Sequence, residues 1–288
     1  MLAGPGAAPY YIDRFHMTKG LRARLRCRRR PQPSHETAGY LLLLLVLATN
    51  ASLLLLVPFS LPRAGVVAAL YGSGTLATLV LLFHPRSQWL VENRHRVACS
   101  DGRPCVALTF DDGPTEETTP RVLEILRSKG VKATFFLVGR QAERYPDLVR
   151  QLRAEGHTIG NHTFTHSPLF CFLPPARLRW EVERTQEALS EITGSRPRFF
   201  RSPVGLRHPF LARALRDADV EYISWRLRTL DTHPQRPDAL RARVLDHVTS
   251  GDIVLMHDRP ARGTTAMISV LPEVIDRLRD RGYEFTTP

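Results

Sequence analysis

The chain has 288 residues, 43% of them hydrophobic, which is more than one small domain needs and suits a short appendage plus a domain of about 200 residues. Its formal charge of +12 does not point to nucleic acid. Half of that excess falls within residues 1–37, where Arg14, Lys19, Arg22, Arg24, Arg26 and Arg28–Arg30 outnumber Asp13 and Glu36, and no aromatic-basic surface motif accompanies it.

In chain order, this basic and structurally featureless segment is followed by an apolar block, Ala38 to Phe83, whose one charged residue is Arg63. Residues 38–61 and 64–83 are each long enough to cross a hydrocarbon core of roughly 30 Å as helices. Val57-Pro58-Phe59-Ser60-Leu61-Pro62-Arg63 reads as the turn between them. Asn50 and Gly72-Ser73-Gly74 suit close helix packing. The block is doubled and lacks a small-residue cleavage site, unlike a signal peptide. A membrane helical hairpin in contact with lipid is therefore expected, with Met17 as an alternative start that leaves the arginine cluster at the N-terminus.

Residues 84–103 read as a linker. Of the four cysteines, none forms a zinc-type pair; Cys99 and Cys105 flank the turn-like Ser100-Asp101-Gly102-Arg103-Pro104, where either a disulfide-closed hairpin or two free thiols fits.

From 104 to 288 the pattern alternates. β-branched and aromatic runs at 106–110, 133–138, 158–162, 198–201, 220–225, 252–257 and 283–286 predict about seven strands. Helical patterns fill 117–129, 141–155, 175–193, 209–218, 236–249 and 265–281, several ending at a glycine such as Gly130, Gly156, Gly194 or Gly282. This predicts an α/β fold, a parallel sheet or (β/α) barrel. Asp111, His162, Arg201, Asp231 and His257 all fall at or just beyond strand C-termini, the face on which barrels build active sites.

The chemistry concentrates in three segments. Thr109-Phe110-Asp111-Asp112-Gly113-Pro114 sets two adjacent carboxylates at a strand end, where mutual repulsion asks for a cation. Asn161-His162-Thr163-Phe164-Thr165-His166 spaces two histidines four apart; a helical turn would aim both at one divalent ion, and an aspartate completes a set of two histidines and a carboxylate that leaves positions open for water and substrate. Leu255-Met256-His257 brings a further histidine to the same mouth.

These residues resemble the polysaccharide deacetylase family, carbohydrate esterase family 4, which includes chitin, chitooligosaccharide and peptidoglycan deacetylases. The likeness spans roughly 104–288: TFDDGP at 109–114, HTFTH at 162–166, which matches His-Ser/Thr-x-x-His, RSPVG at 201–205 for RxPxG, and LMH at 255–257 for LxH. The resemblance implies a deformed (β/α) barrel and one divalent metal, usually zinc, held by Asp112, His162 and His166. It makes Asp111 the general base, Arg201 its orienting partner, His257 the general acid, and the N–H of Val204 an oxyanion donor. Two departures stand out. Val204 replaces a common aromatic, and of the family's DxxDW pattern only Asp231 remains, with Arg228 and Thr232 in place of an acid and an aromatic. Asp231 is the candidate partner that tunes His257.

The implied activity is removal of N-acetyl groups from an amino-sugar glycan, whether peptidoglycan, chitin-like or lipid-linked. Alternatives are an O-acetyl esterase on a polysaccharide and a catalytically degenerate, membrane-bound glycan-binding protein. Sidedness divides the signals: the basic N-terminus with Arg86, Arg94 and Arg96 puts both ends of a two-span protein in the cytoplasm, whereas the family's wall and polymer substrates favour the outside.

Overall fold

The computed structural model describes residues 61–83, 88, 90–100, 102–259 and 266–288, with isolated helical positions at 44, 48–49 and 51–52. The basic segment 1–37, Met17, Cys27 and most of the expected first span 38–61 lie outside the described residues. The elements run α1 (Leu61–Phe83), β1 (Asn93–Arg94), β2 (Cys105–Asp111), α2 (Thr119–Ser128), β3 (Thr134–Leu137), α3 (Gly139–Arg144), α4 (Pro146–Ala154) and β4 (Thr158–Asn161). The second half adds α5 (Pro175–Thr193), β5 (Phe199–Phe200), α6 (Leu211–Ala218), β6 (Glu221–Ile223), β7 (Leu227–Arg228), α7 (Pro237–His247), β8 (Asp252–His257), α8 (Ala266–Asp280) and β9 (Glu284–Thr286).

Prolines set several boundaries. Pro146, Pro175 and Pro237 open α4, α5 and α7 and Pro120 is the second residue of α2, first-turn positions where a missing N–H costs nothing and the fixed φ fits. Pro146 also breaks the single helix expected over 141–155: Tyr145 leaves helical geometry (φ −129, ψ 59), and α3 and α4 result. Likewise α1 starts at Leu61 and takes Pro62 and Arg63 into its first turn, so these three residues of the turn expected at 57–63 are helical, and 57–60 lie outside the described residues. Among the described residues no helix is long and apolar enough to cross a membrane; the side chains at 61–64, 67 and 79–83 of α1 are outside that description.

The described strands form one nine-stranded sheet in the order β1-β6-β5-β4-β3-β2-β8-β7, with β9 also on β2, and every pair is parallel. About seven strands were expected; β1 and β7, two residues each, are too short to show periodicity. β8 covers one edge of β2 from Val106 to Asp111. On the other edge β9 takes Cys105–Ala107 and β3 takes Thr109–Asp111. The sheet thus branches below the site and curls in the manner of a deformed barrel. Asp101, at the tip of the possible hairpin around Asp101-Gly102, lies outside the described residues. Cys99 and Cys105 are disulfide-bonded, but the chain before them pairs in parallel with β6, Asn93 opposite Tyr222 and Arg94 opposite Ile223.

Strand alternation explains the convergence of the polar residues. Val106, Leu108 and Phe110 face outward into the main core with Leu123, Leu126 and Val274 of the covering helices. Phe110, fully buried, stacks on Phe135 with centroids 5.1 Å apart; burial of such a side chain contributes about 2–3 kcal/mol. The alternate positions face inward, where Ala107 meets Phe136, Phe199, Ile223 and Ile253. Two and four residues on from Ala107, Thr109 and Asp111 therefore point into the barrel. The same parity turns Arg201, beyond Phe199, and His257, beyond Ile253, inward at the C-terminal end.

Candidate active site

Asp111 ends β2 with 3% of its surface exposed. The fully buried Arg201 donates from Nη1 to Asp111 Oδ1 at 2.7 Å and to Thr109 Oγ1 at 2.8 Å. Its remaining nitrogens donate to the carbonyls of Ile223 and Ser224, and its guanidinium lies 4.0 Å from the centre of the Phe136 ring. Burial lowers its proton affinity while the Asp111 charge opposes that. All three of its nitrogens are engaged, so one oxygen of Asp111 is fixed and the other is left for the site.

Asp112 follows with φ 77, and Gly113-Pro114 is a cis peptide. Its Oδ1 lies 3.3 Å from His162 Nε2 and 3.0 Å from His166 Nε2, and the three ligand atoms fall within 4.8 Å of one another. Although burial would raise the Asp112 carboxyl, hydrogen bonds and charge from both histidines outweigh it and hold it well below the usual carboxylate range. His162 shows the complement: burial would lower it, but Asp111 and Asp112 push it up. His162 Nδ1 donates to the carbonyl of Arg201 at 2.8 Å, which fixes the ring and aims Nε2 at Asp112. His162 is closed off, whereas His166 and Asp112 retain 29% and 21% side-chain exposure, so the ligand set is open on one side. Two imidazoles and a carboxylate fit a catalytic divalent cation such as zinc.

The expected helical turn between the two histidines is absent. Residues 162–166 form an irregular turn in which Thr163 (φ 64) and His166 (φ 53) take left-handed backbone. It is held by hydrogen bonds from outside: Asn161 Oδ1 accepts from Thr163 N, and Glu181 of α5 accepts from Phe164 N and Thr165 N.

His257 ends β8 directly opposite Asp111 in register, one strand spacing of about 4.8 Å away. Asp231 accepts from His257 Nδ1 at 2.7 Å and from its backbone N–H at 2.8 Å. Burial alone would lower the imidazole, but the Asp231 contact, helped by Asp111 and Asp112, pushes it up to about 9. The turn after Arg201 spends the N–H groups of Gly205 and Leu206 on Ser202 and Pro203; the N–H of Val204, at φ 52 and with an exposed side chain, takes no part in those bonds. Arg228 pairs with Leu255 across β7 and β8, on the face that carries His257.

Two buried acids beside the site were not singled out from the sequence. Glu181 lies on a helix with an unremarkable charge pattern. Asp258 follows His257 directly and is fully buried; Thr119 Oγ1 donates to its Oδ2 at 2.7 Å. Burial, offset in part by Thr119 and reinforced by the charge of Asp112, pushes its carboxyl up to about 7. It packs so tightly on Gly113 that a Cβ there would lie 2.2 Å from its Oδ2. The only signal for it was the dipeptide His257-Asp258.

Fold and site define a curled, parallel α/β half-barrel with two histidines and a carboxylate gathered at the strand C-termini and a further carboxylate and histidine beside them. A family model described as Polysaccharide deacetylase matches residues 99–223, ending before Asp231 and His257. The chain is 34% identical over 182 residues to a peptidoglycan-N-acetylglucosamine deacetylase of Bacillus cereus, covering 63% of this chain and 66% of that one. It is 33% identical to a chitooligosaccharide deacetylase of Azorhizobium caulinodans, covering 62% of this chain and 90% of that one. The crystal structure of the Bc1960 peptidoglycan N-acetylglucosamine deacetylase superposes with a TM-score of 0.64 at 32% identity, over 68% of this chain and 90% of that one. This chain belongs to the polysaccharide deacetylase family.

Proposed function

We propose that the chain is a metal-dependent hydrolase that removes N-acetyl groups from an amino-sugar glycan of the peptidoglycan or chitooligosaccharide type. The observation that carries this reading is the single cluster in which Arg201-held Asp111, the Asp112–His162–His166 set and the Asp231-held His257 share one barrel mouth. Asp112, His162 and His166 would hold the ion. When bound, a divalent cation supplies Lewis acidity, polarising the amide carbonyl and easing ionisation of water.

The chain's own groups do the rest. Asp111, with Oδ1 fixed by Arg201, presents Oδ2 towards the ligand set, 3.8 Å from His162 Nε2, and accepts the proton of the attacking water. The N–H of Val204 donates to the developing oxyanion. His257 carries a proton at neutral pH and delivers it from Nε2, because Nδ1 is spent on Asp231. That last feature favours an amide over an ester substrate. An alcohol departs from an ester with little help, but an amine must be protonated to leave.

The test is acetate release by the purified full chain from N-acetylated chitooligosaccharide and from peptidoglycan, beside an O-acetylated, N-free polysaccharide. Turnover confined to the O-acetyl substrate would replace this reading with the esterase one.

We also propose that α1 lies in the bilayer and the catalytic domain on its outer side. Val66, Leu70, Tyr71 and Leu76 of α1 are exposed, and the hydroxyls of Ser73 and Thr78 bond back to the helix's own carbonyls, as hydroxyls in hydrocarbon must. The Cys99–Cys105 disulfide supports an oxidising compartment, against the cytoplasmic placement that charge counting favours. An alkaline phosphatase fusion after residue 97 should be active; an inactive but expressed fusion returns the domain to the cytoplasm.

A further inference from the structure

We infer that Glu181 is a positioning residue that holds the His162–His166 turn in its metal-ligating shape. The inference rests on the reading of Asp112, His162 and His166 as the metal ligands.

Glu181 stands on α5, a helix that supplies no ligand, yet its carboxylate is 1% exposed, a placement acids rarely take without dedicated partners. Its partners all belong to the turn except one. Oε2 accepts from Phe164 N at 3.0 Å and from Thr165 N at 2.8 Å, and Oε1 accepts from Thr165 Oγ1 at 2.8 Å. Arg177, one helical turn earlier, pairs with Oε1 at 3.1 Å from a half-exposed position. One carboxylate thus gathers the two consecutive N–H groups between the histidines.

The turn needs such a clamp. Thr163 and His166 both occupy left-handed backbone without being glycine, a conformation that persists only when the surroundings impose it. The two ligands differ in how else they are held. His162 is fixed twice over, by His162 N to Leu137 O and by its ring to Arg201 O. Apart from its contact with its fellow ligand Asp112, His166 is held by the Thr163 Oγ1 contact to its N–H at 3.2 Å, and its ring is partly exposed. Releasing Glu181 should therefore free His166 and leave His162 in place. Outer partners of this kind typically change metal affinity 10–100-fold.

The experiment measures zinc affinity of the detergent-solubilised full chain by competition with a chromophoric chelator, with thermal unfolding of the apo form alongside. Four proteins are compared: the parent, Glu181→Ala, the volume-preserving Glu181→Gln, and Leu189→Ala, which truncates a buried apolar residue of the same helix. Both Glu181 variants should unfold cooperatively and bind zinc about 10–100-fold more weakly than the parent, with Leu189→Ala unchanged in affinity though less stable. The inference is overturned by Glu181 variants that keep the parent's affinity. It is equally overturned by a matching loss in Leu189→Ala, or by Glu181 variants that do not fold while Leu189→Ala does, since either shows a general structural role. A parent that binds no zinc would instead remove the metal-site reading itself.

Discussion

Replacing Asp231 by Asn tests the proton donor. Asp231 accepts two bonds from His257 and, against burial, sustains a rise from 6.5 to about 9. At 1.36 kcal/mol per unit that corresponds to about 3 kcal/mol favouring the imidazolium. A cation held by Asp112 would cancel part of the more distant carboxylates' pull and leave Asp231 as the main support. With Asn, the His257 Nδ1–H loses its anionic acceptor and the ring should titrate at or below its ordinary 6.5. At pH 8 the protonated fraction then falls from about nine-tenths to about one-thirtieth, a loss of about thirty-fold in kcat/KM that narrows to about two-fold by pH 6.5. The assay is kcat/KM for acetate release between pH 5.5 and 10. The alkaline limb should sit near 9 in the parent and move down by two units or more in the variant. Stability gives a second reading. A group whose folded-state pKa is raised stabilises below its unfolded value and loses that contribution as pH rises through the folded one. The parent's advantage over Asp231→Asn should therefore be full below about 6.5 and fade through about 9. An alkaline limb that stays put in the variant would refute the proton-donor reasoning.

Other substitutions separate the remaining roles. His162→Ala and His166→Ala should each abolish stoichiometric zinc binding, measured by metal analysis after dialysis, because two ligands hold the ion poorly. Arg201→Ala leaves Asp111 buried without its partner and should cost about 3–5 kcal/mol in denaturant unfolding. Gly113→Ala drives a methyl into the Asp258 carboxylate; it should lower the melting temperature and zinc affinity together, because Asp112 is the preceding residue.

Much of this was legible because period-two alternation carries both the core and the site. VALTFD at 106–111 marks a buried strand and, by the same parity, aims Asp111 inward. Boundaries set by local chemistry were less visible. The break at Pro146 follows from a missing N–H, and the two-residue strands β1 and β7 have no period to detect. The turn between the histidines was the substantive miss. A spacing of four suggested a helix, but the carboxylate of Glu181, fifteen residues beyond His166, and the side chain of Asn161 impose left-handed backbone instead. Tertiary hydrogen bonds of that kind leave no local signature. Asp258 was hidden for a related reason: its importance lies in burial against Gly113, not in its residue type.

The most direct measurement pairs metal content with turnover in the full-length parent and Asp111→Asn, since Asp111 contacts Arg201 and the site but is not among the three ligands. Both proteins should contain about one divalent ion per chain. The parent should release acetate from an N-acetylated glycan, and the variant should be slower by about two to four orders of magnitude. A parent that hydrolyses the substrate equally well after complete metal removal, or an Asp111→Asn protein with undiminished turnover, would contradict the assignment of this barrel mouth as a metal-dependent deacetylase site.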